Sequence, residues 1–295
     1  MMFSFAFGET GDDSDGTVGL GLPLLGGAPR ELILGPVERS ESRGSFSVWR
    51  GPAGAVGWAK VNPGGELEDV TKRLYAELLR CAGDLHLYRI WNCVPQINRE
   101  NGQGLENYRA FCKGRSLAFE EALGKAFASR LPAASAVGTA KAELTVVFLA
   151  GTRPARYFEN PAQVPAYEYP PEHGPRSPSF ARATVVERGQ TLDAYLSGTS
   201  AIMGHTTVAP HDTAGQLDCT IENLGLVSRA CGLGAGGARH FKVYLRNPAD
   251  RPAVALQLER RVAAPGDCVT YLGADICRAA LNVEIELSAR GAARI

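Results

Sequence analysis

The order of elements in this chain occurs twice, and a duplicated order limits it to two halves of one architecture. From Gly54 to Ala150 the pattern reads strand, helix, strand, helix, strand. The first helix follows Asn62-Pro63-Gly64-Gly65, where Leu67, Val70, Leu74, Leu78 and Cys81 recur at intervals of three and four as one apolar stripe. A strand is expected over 85–98, a helix over 105–127, and an apolar strand in Leu144-Thr145-Val146-Val147-Phe148-Leu149. The order returns between Ala181 and Leu287. Leu217, Ile221, Leu224 and Val227 give a helix stripe, followed by a strand over 240–246, a helix over 250–263 and a closing strand from Leu281 to Leu287. Matching the closing strands, Leu144 with Leu281 and Val146 with Val283, sets Val147 opposite Glu284. The halves are therefore related but not equivalent, with residues 1–150 holding the first and 151–295 the second.

Between the repeats, residues 151–180 carry seven prolines, a density that forbids a regular helix or central strand. The segment also carries Tyr157, Phe158, Tyr167, Tyr169, Arg176 and Phe180, more aromatic surface than a solvated linker needs. It reads as a rigid loop packed over a site.

Composition removes several classes of function. The 295 residues carry 31 Lys+Arg and 31 Asp+Glu, so no global positive field exists to hold a polyanion, and nucleic-acid binding is not expected. No apolar run approaches the roughly 20 residues of a membrane span, and Met1-Met2-Phe3-Ser4-Phe5 leads into Gly-Asp-rich sequence rather than a basic leader with an apolar stretch. A soluble, cytoplasmic protein is expected. The seven cysteines form no C-x-x-C pair, so they read as reduced thiols; the five histidines are scattered, with only His205 and His211 close in sequence, and no metal or cofactor is expected. The basic set is six lysines and 25 arginines. Arginine pairs bidentately with carboxylates, so a small dianionic acid would suit a site drawn from this pool.

Alternation along the closing strand points Val283, Ile285 and Leu287 one way and Asn282, Glu284 and Glu286 the other. The equivalent face of the first repeat, Thr145, Val147 and Leu149, is mostly apolar, so this second face reads as covered. On a covered face, desolvation and a neighbouring carboxylate both favour the protonated form, as a general acid near neutral pH requires. Leu196-Ser197-Gly198-Thr199-Ser200-Ala201 is a strand ending in small polar residues, where a backbone can approach a ligand closely. Gly232 to Gly237 follows a helix and precedes a strand, the reverse of the dinucleotide order, and reads as a connector. No Walker-type loop and no G-x-S-x-G elbow is present, which argues against nucleotides and serine hydrolase chemistry.

Several longer motifs resemble the chorismatases. They are Tyr88-Arg-Ile-Trp-Asn-Cys-Val-Pro-Gln-Ile-Asn98, Tyr108-Arg-Ala-Phe-Cys-Lys-Gly-Arg115, Tyr169 with Gly174-Pro-Arg-Ser-Pro-Ser-Phe-Ala-Arg182, Ser197-Gly-Thr199, and Ala274-Asp-Ile-Cys-Arg278 closing in Val283-Glu-Ile-Glu286. The likeness spans about Tyr88 to Leu287. It implies an α/β (α+β) fold of two Rid/YjgF-like (chorismate mutase-like) halves, each a mixed sheet packed on helices, with one active site in the second half under the Pro-rich loop. It also implies that the enolpyruvyl side chain of chorismate is removed as pyruvate, with Glu284 as the acid. Arg176, Arg182 and Arg246 are the candidates for the two substrate carboxylates, with Tyr169, Tyr244, Thr199 and Ser200 as further contacts. Cys277, seven residues before Glu284, resembles the 3-hydroxybenzoate-forming type. The alternatives are hydrolysis to a dihydroxycyclohexadiene carboxylate, a mixture of 3- and 4-hydroxybenzoate, a non-catalytic binder of aromatic acids, or a Rid-type imine deaminase. The last is disfavoured, because the Pro-Ala-Arg-Ser segment of those deaminases reads Pro132-Ala133-Ala134-Ser135 in the first half and Cys268-Val269-Thr270-Tyr271 in the second. The oligomeric state is open between a monomer and a small homo-oligomer.

Overall fold

The computed structural model describes residues 1–8, 16–64 and 66–295; most of the Gly-Asp-rich opening stretch and Gly65 lie outside the described residues. Two large sheets carry the two repeats. The first runs in the order Arg39–Arg43, Phe46–Gly51, Gly54–Val61, Leu144–Gly151, His86–Pro95, Ala133–Thr139. The second runs Ala155–Phe158, Ala183–Arg188, Thr191–Thr199, Val283–Ala293, Ala238–Leu245, Cys268–Gly273, with Leu24–Gly27 added at its edge. In both, the closing strand lies at the centre between antiparallel neighbours, and the strand that precedes it in sequence pairs in parallel with the strand before that one. A parallel pair needs a crossover, which is helical in each half. The helices are α1 (Leu67–Ala82) and α2 (Asn107–Leu123) in the first half, α3 (Thr213–Ala230) and α4 (Arg251–Arg261) in the second. The repeated order expected from the pattern is thus present, with helix ends drawn in by a few residues.

Two strands escape the hydrophobic pattern. Ala133–Thr139 and Cys268–Gly273 complete the parallel pair in each half. The first is built of small residues for a physical reason. Its free edge meets the second half, where Ala133 N–H donates to Thr184 Oγ1 at 2.8 Å and Ala134 N–H to Ser197 Oγ at 2.9 Å. Only short side chains allow so close an approach.

Three apolar clusters separate the layers. One lies between the first sheet and α1 and α2, and another between the second sheet and α3 and α4. The third fills the space between the sheets, where Phe3, Phe5 and Val18 of the N-terminal segment meet Trp91, Val147 and Tyr244. Phe3–Ala6, Thr17–Gly19 and Arg30–Leu34 belong to neither large sheet and form a small sheet of their own. The Pro-rich segment forms one edge strand, Ala155–Phe158, and two short 3-10 turns, as its prolines allow. Among the described residues no helix is long and apolar enough to cross a membrane.

Helices α1 and α2 touch through Gly114, where an added Cβ would stand 2.2 Å from the carbonyl oxygen of Glu68. In an exposed helix Gly114→Ala would stabilise by about 1 kcal/mol through propensity. Here the contact must open, and a net loss of about 1–3 kcal/mol is expected from overpacking. Urea denaturation of the two proteins decides the sign; a more stable Ala variant would show that the helices are not in contact there.

Candidate active site

The inward face of the closing strand carries Glu284 and Glu286, both buried, with side chains directed into the layer between the sheets. Their surroundings differ sharply. Glu286 accepts hydrogen bonds from Arg89 Nη2 at 2.8 Å, Trp91 Nε1 at 2.8 Å and Ser135 Oγ at 2.5 Å, and pairs with Lys242 Nζ at 2.7 Å. Lys242 also pairs with buried Glu31, so the cluster joins both sheets and the N-terminal segment. Burial alone would raise the Glu286 carboxyl, but Lys242 and Arg89 hold it down at about 2. It is the fixed anion of the site.

Glu284 lacks such partners. Ser200 Oγ lies 3.4 Å from its Oε2 and donates at 3.1 Å to the carbonyl of Val283, while among the described residues Oε1 has no hydrogen-bond partner. Burial, and next the charge of Glu286, push its carboxyl up to about 8. The two carboxyls are driven apart in the manner of an acid beside a permanent charge. Gly198 makes room for this acid: a Cβ there would stand 1.9 Å from Glu284 Oε1.

Glu284 opens into a cavity of about 310 Å³, within the range of small-molecule sites. The Pro-rich segment contributes to its wall as expected, but the wall also comes from the first half, which the expected site in the second half under that loop did not include. The first half supplies Tyr108, Arg109, Arg115 and Ser135; the segment between the repeats supplies Tyr169, His173 and Phe180; the second repeat supplies Arg182, Gly198, Ser200, Cys277 and Arg278. Three arginines dominate its electrostatics. Arg115 is buried on α2 with its guanidinium over the rings of Phe111 and Phe180, and its Nε has no partner among the described residues. Arg182 is buried and donates from Nη2 to the hydroxyl of Tyr169 at 2.8 Å. Arg278 lies over the Tyr169 ring and donates to the carbonyl of His205 at 2.9 Å and to Thr207 Oγ1 at 3.1 Å. Burial, then the neighbouring Glu284, push the Cys277 thiol up to about 12, so it lines the cavity as a neutral group.

Of the residues singled out from sequence, the structure brings Glu284, Cys277, Arg182, Tyr169 and Ser200 to this cavity. It does not bring Arg176 or Arg246 there. Arg176 pairs with Glu120 on α2 at 2.5 Å. Arg246 spends its donors on the loop that carries Cys277 and Arg278: Nε donates to the Leu281 carbonyl at 2.8 Å, Nη2 to Asn98 Oδ1 at 3.0 Å and to the Arg278 carbonyl at 3.2 Å, and it pairs with Asp275. A guanidinium so occupied positions a loop instead of reaching a ligand. Tyr244 stands directly across from Glu284 on the neighbouring strand but belongs to the core between the sheets. The Thr199 hydroxyl turns away to the Ser197 carbonyl at 2.9 Å. Arg115 and Arg278, which the motif reading passed over, each close one of the motifs quoted above, and that position was the available signal.

Comparison with known proteins follows the same lines. Residues 35–150 match the family described as chorismatase FkbO/Hyg5-like, N-terminal. A 3-hydroxybenzoate synthase of Streptomyces hygroscopicus is 36% identical over 244 residues, covering 77% of this chain and 71% of that protein. A chorismatase of the same organism is 33% identical over 301 residues, covering 92% and 86%. Among solved structures, a chorismatase crystal structure superposes with a TM-score of 0.86 at 30% identity, covering 98% of this chain and 93% of that one.

The two carboxyls give stability opposite dependences on pH. Between about 4.5 and 8 the folded chain keeps a proton on Glu284 that the unfolded chain has lost, so stability falls as pH rises, by up to about 1.4 kcal/mol per pH unit. Glu286 contributes stability that is present above about 4.5 and lost as pH falls toward 2. Glu284→Gln is expected to flatten the stability profile between pH 5 and 8, measured by denaturant titration. An unchanged slope would mean that Glu284 is ionised in the folded protein.

Proposed function

The chain belongs to the chorismatase family, and from that premise we propose that it converts chorismate to 3-hydroxybenzoate and pyruvate. One observation carries the reading: a buried, neutral carboxyl, Glu284, stands with one oxygen unbonded among the described residues in a cavity ringed by arginines. Chorismate carries a ring carboxylate, a second carboxylate on its enolpyruvyl ether, and a 4-hydroxyl. Arg115, Arg182 and Arg278 are the groups suited to hold the two carboxylates, by charge-assisted bonds that fix the ring as well as bind it. They take the place of Arg176 and Arg246.

Glu284 then delivers its proton to the terminal methylene of the ether. The pyruvyl carbon becomes electrophilic, and the ether oxygen leaves the ring with the side chain as pyruvate. The 4-hydroxyl oxygen closes onto the vacated ring carbon as an epoxide, and the proton it sheds restores Glu284. Opening of the epoxide with loss of a ring proton gives the aromatic product. Chorismate is thereby divided into 3-hydroxybenzoate and pyruvate with no net water. A water molecule reaching the same carbon would give the diene diol instead, so the aromatic route depends on a dry wall and on the proximity of the internal nucleophile. Cys277 supplies part of that wall as a neutral thiol, and its place seven residues before Glu284 supports the 3-hydroxybenzoate outcome over hydrolysis. No step calls for a cofactor. The seven free thiols suit a reducing compartment, which favours the cytoplasm.

Glu284→Gln is expected to lower pyruvate release by about 10²–10⁴-fold while the chain still folds, since the amide keeps the shape and lacks the proton. Wild-type turnover should fall as pH rises past about 8, where the acid ionises. Near wild-type release in the Gln variant refutes the assignment.

The arginines separate by position: Arg182→Ala and Arg278→Ala should each weaken chorismate binding by about 1.5–3 kcal/mol in calorimetry, whereas Arg176→Ala should not. Cys277→Ala should still release pyruvate but shift product from 3-hydroxybenzoate toward the diene diol, read by chromatography. An unchanged product ratio would leave the thiol a packing role only.

A further inference from the structure

Two of the five scattered histidines, His173 and His205, meet in space. His173 ends the 3-10 turn Pro171–His173 in the Pro-rich segment, and His205 sits in the tight turn between the two-residue strands Ile202–Met203 and Thr206–Thr207. Their ring nitrogens face each other, His173 Nε2 lying 3.0 Å from His205 Nδ1. The third member is Glu172, whose Oε1 lies 3.6 Å from each of these two nitrogens. That separation is too long for a hydrogen bond to either ring. The carboxylate oxygen is thus directed between the nitrogens without bonding to them.

Distances of 3.0, 3.6 and 3.6 Å are close to the ligand–ligand edges of a tetrahedral ion. Three atoms so spaced lie on a circle of radius about 2.0 Å, so a point about 2.1 Å from all of them exists about 0.7 Å out of their plane. A zinc ion with bonds of about 2.1 Å stands about one third of a bond length, again about 0.7 Å, from the plane of three of its ligands. We propose that Glu172, His173 and His205 form a site for a borderline divalent transition metal, zinc being the representative, with two imidazoles, one carboxylate and an open fourth position. The donors suit such a metal and not calcium or magnesium, which take oxygen ligands.

The two elements that carry the donors are already held together without an ion. Gly204 N–H donates to the Ala162 carbonyl at 2.9 Å, and Val164 N–H donates to the Gly204 carbonyl at 3.0 Å, so the hairpin turn is fixed to the Pro-rich segment by backbone bonds. The His205 carbonyl is also anchored by Arg278 at 2.9 Å. Binding therefore costs little ordering of the chain; it replaces the ring N–H···N bond by two metal bonds, and Glu172, exposed at the surface, closes in last. Since His173 also lines the large cavity, the ion would lie in its wall.

The test uses the full chain and zinc alone. In calorimetry, wild type is expected to take up one tight zinc ion, and His205→Ala and Glu172→Gln to lose affinity beyond the ~10–100-fold that outer-shell partners carry. Cobalt(II) should give the visible bands of a tetrahedral site in wild type and not in His205→Ala, and saturating zinc should raise the melting temperature of wild type only. Equal zinc binding in wild type and His205→Ala, or a cobalt spectrum of thiolate type reporting exposed Cys268, overturns the proposal, as does failure of wild type to bind zinc. None of these readouts depends on the proposed reaction.

Discussion

The buried charge cluster on Glu286 is the constraint on which the site depends. An ion buried between two sheets is tolerated only when paired, and losing one partner of such a pair typically costs about 3–5 kcal/mol. Here the partners come from different parts of the chain: Arg89 and Ser135 from the first half, Lys242 from the second, with Glu31 of the N-terminal segment behind Lys242. The halves cannot slide or separate without exposing these charges to a dry layer, so the cluster fixes the register between the sheets. The same register sets the cavity, because Ser135 touches Glu286 on one side, accepts from the Gly198 backbone N–H at 3.0 Å on another, and lines the cavity itself.

The two repeats have divided their work. At the position matching Glu284 the first half has Val147, which belongs to the core between the sheets. Its inward face contributes support instead: Arg89 and Trp91 hold Glu286, and α2 sends Arg115 into the cavity. With Val147 where the second half has its acid, the first half serves as part of the wall of the other half's site.

The sequence made the architecture legible where burial is periodic. The stripes on α1 and α3 each report one buried face; alternation places Glu284 on the face of the closing strand opposite Val283 and Ile285, and the apolar equivalent face of the first repeat marks that face as covered. The strands Ala133–Thr139 and Cys268–Gly273 were hidden for the opposite reason: the first is selected for small side chains at a close approach to the other half, which removes the β-branched signal. The arginines show the other limit. Arg246 and Arg176 are as plausible as Arg115 and Arg278 in a linear reading, since each stands in or beside a motif. What separates them is pairing over long sequence distances, Arg176 with Glu120 and Arg246 with Asn98 and the 275–281 loop, and local pattern cannot show that. His173 and His205, 32 residues apart, meet for the same reason.

Arginine is an adverse neighbour for a neutral carboxyl: Arg89 in the Glu286 cluster and Arg182 in the cavity wall each lower the pKa of Glu284. Burial and the fixed charge of Glu286 outweigh them in the free protein. On the proposed reaction the balance moves further when substrate binds. Two carboxylates entering the cavity neutralise Arg182, which opposes protonation, and bring negative charge close to the acid, and both changes favour its proton-bearing form. Expulsion of water raises the cost of ionising it again. The ligand that consumes the proton therefore also secures it, and the acid is held most firmly in its working state when the cavity is filled.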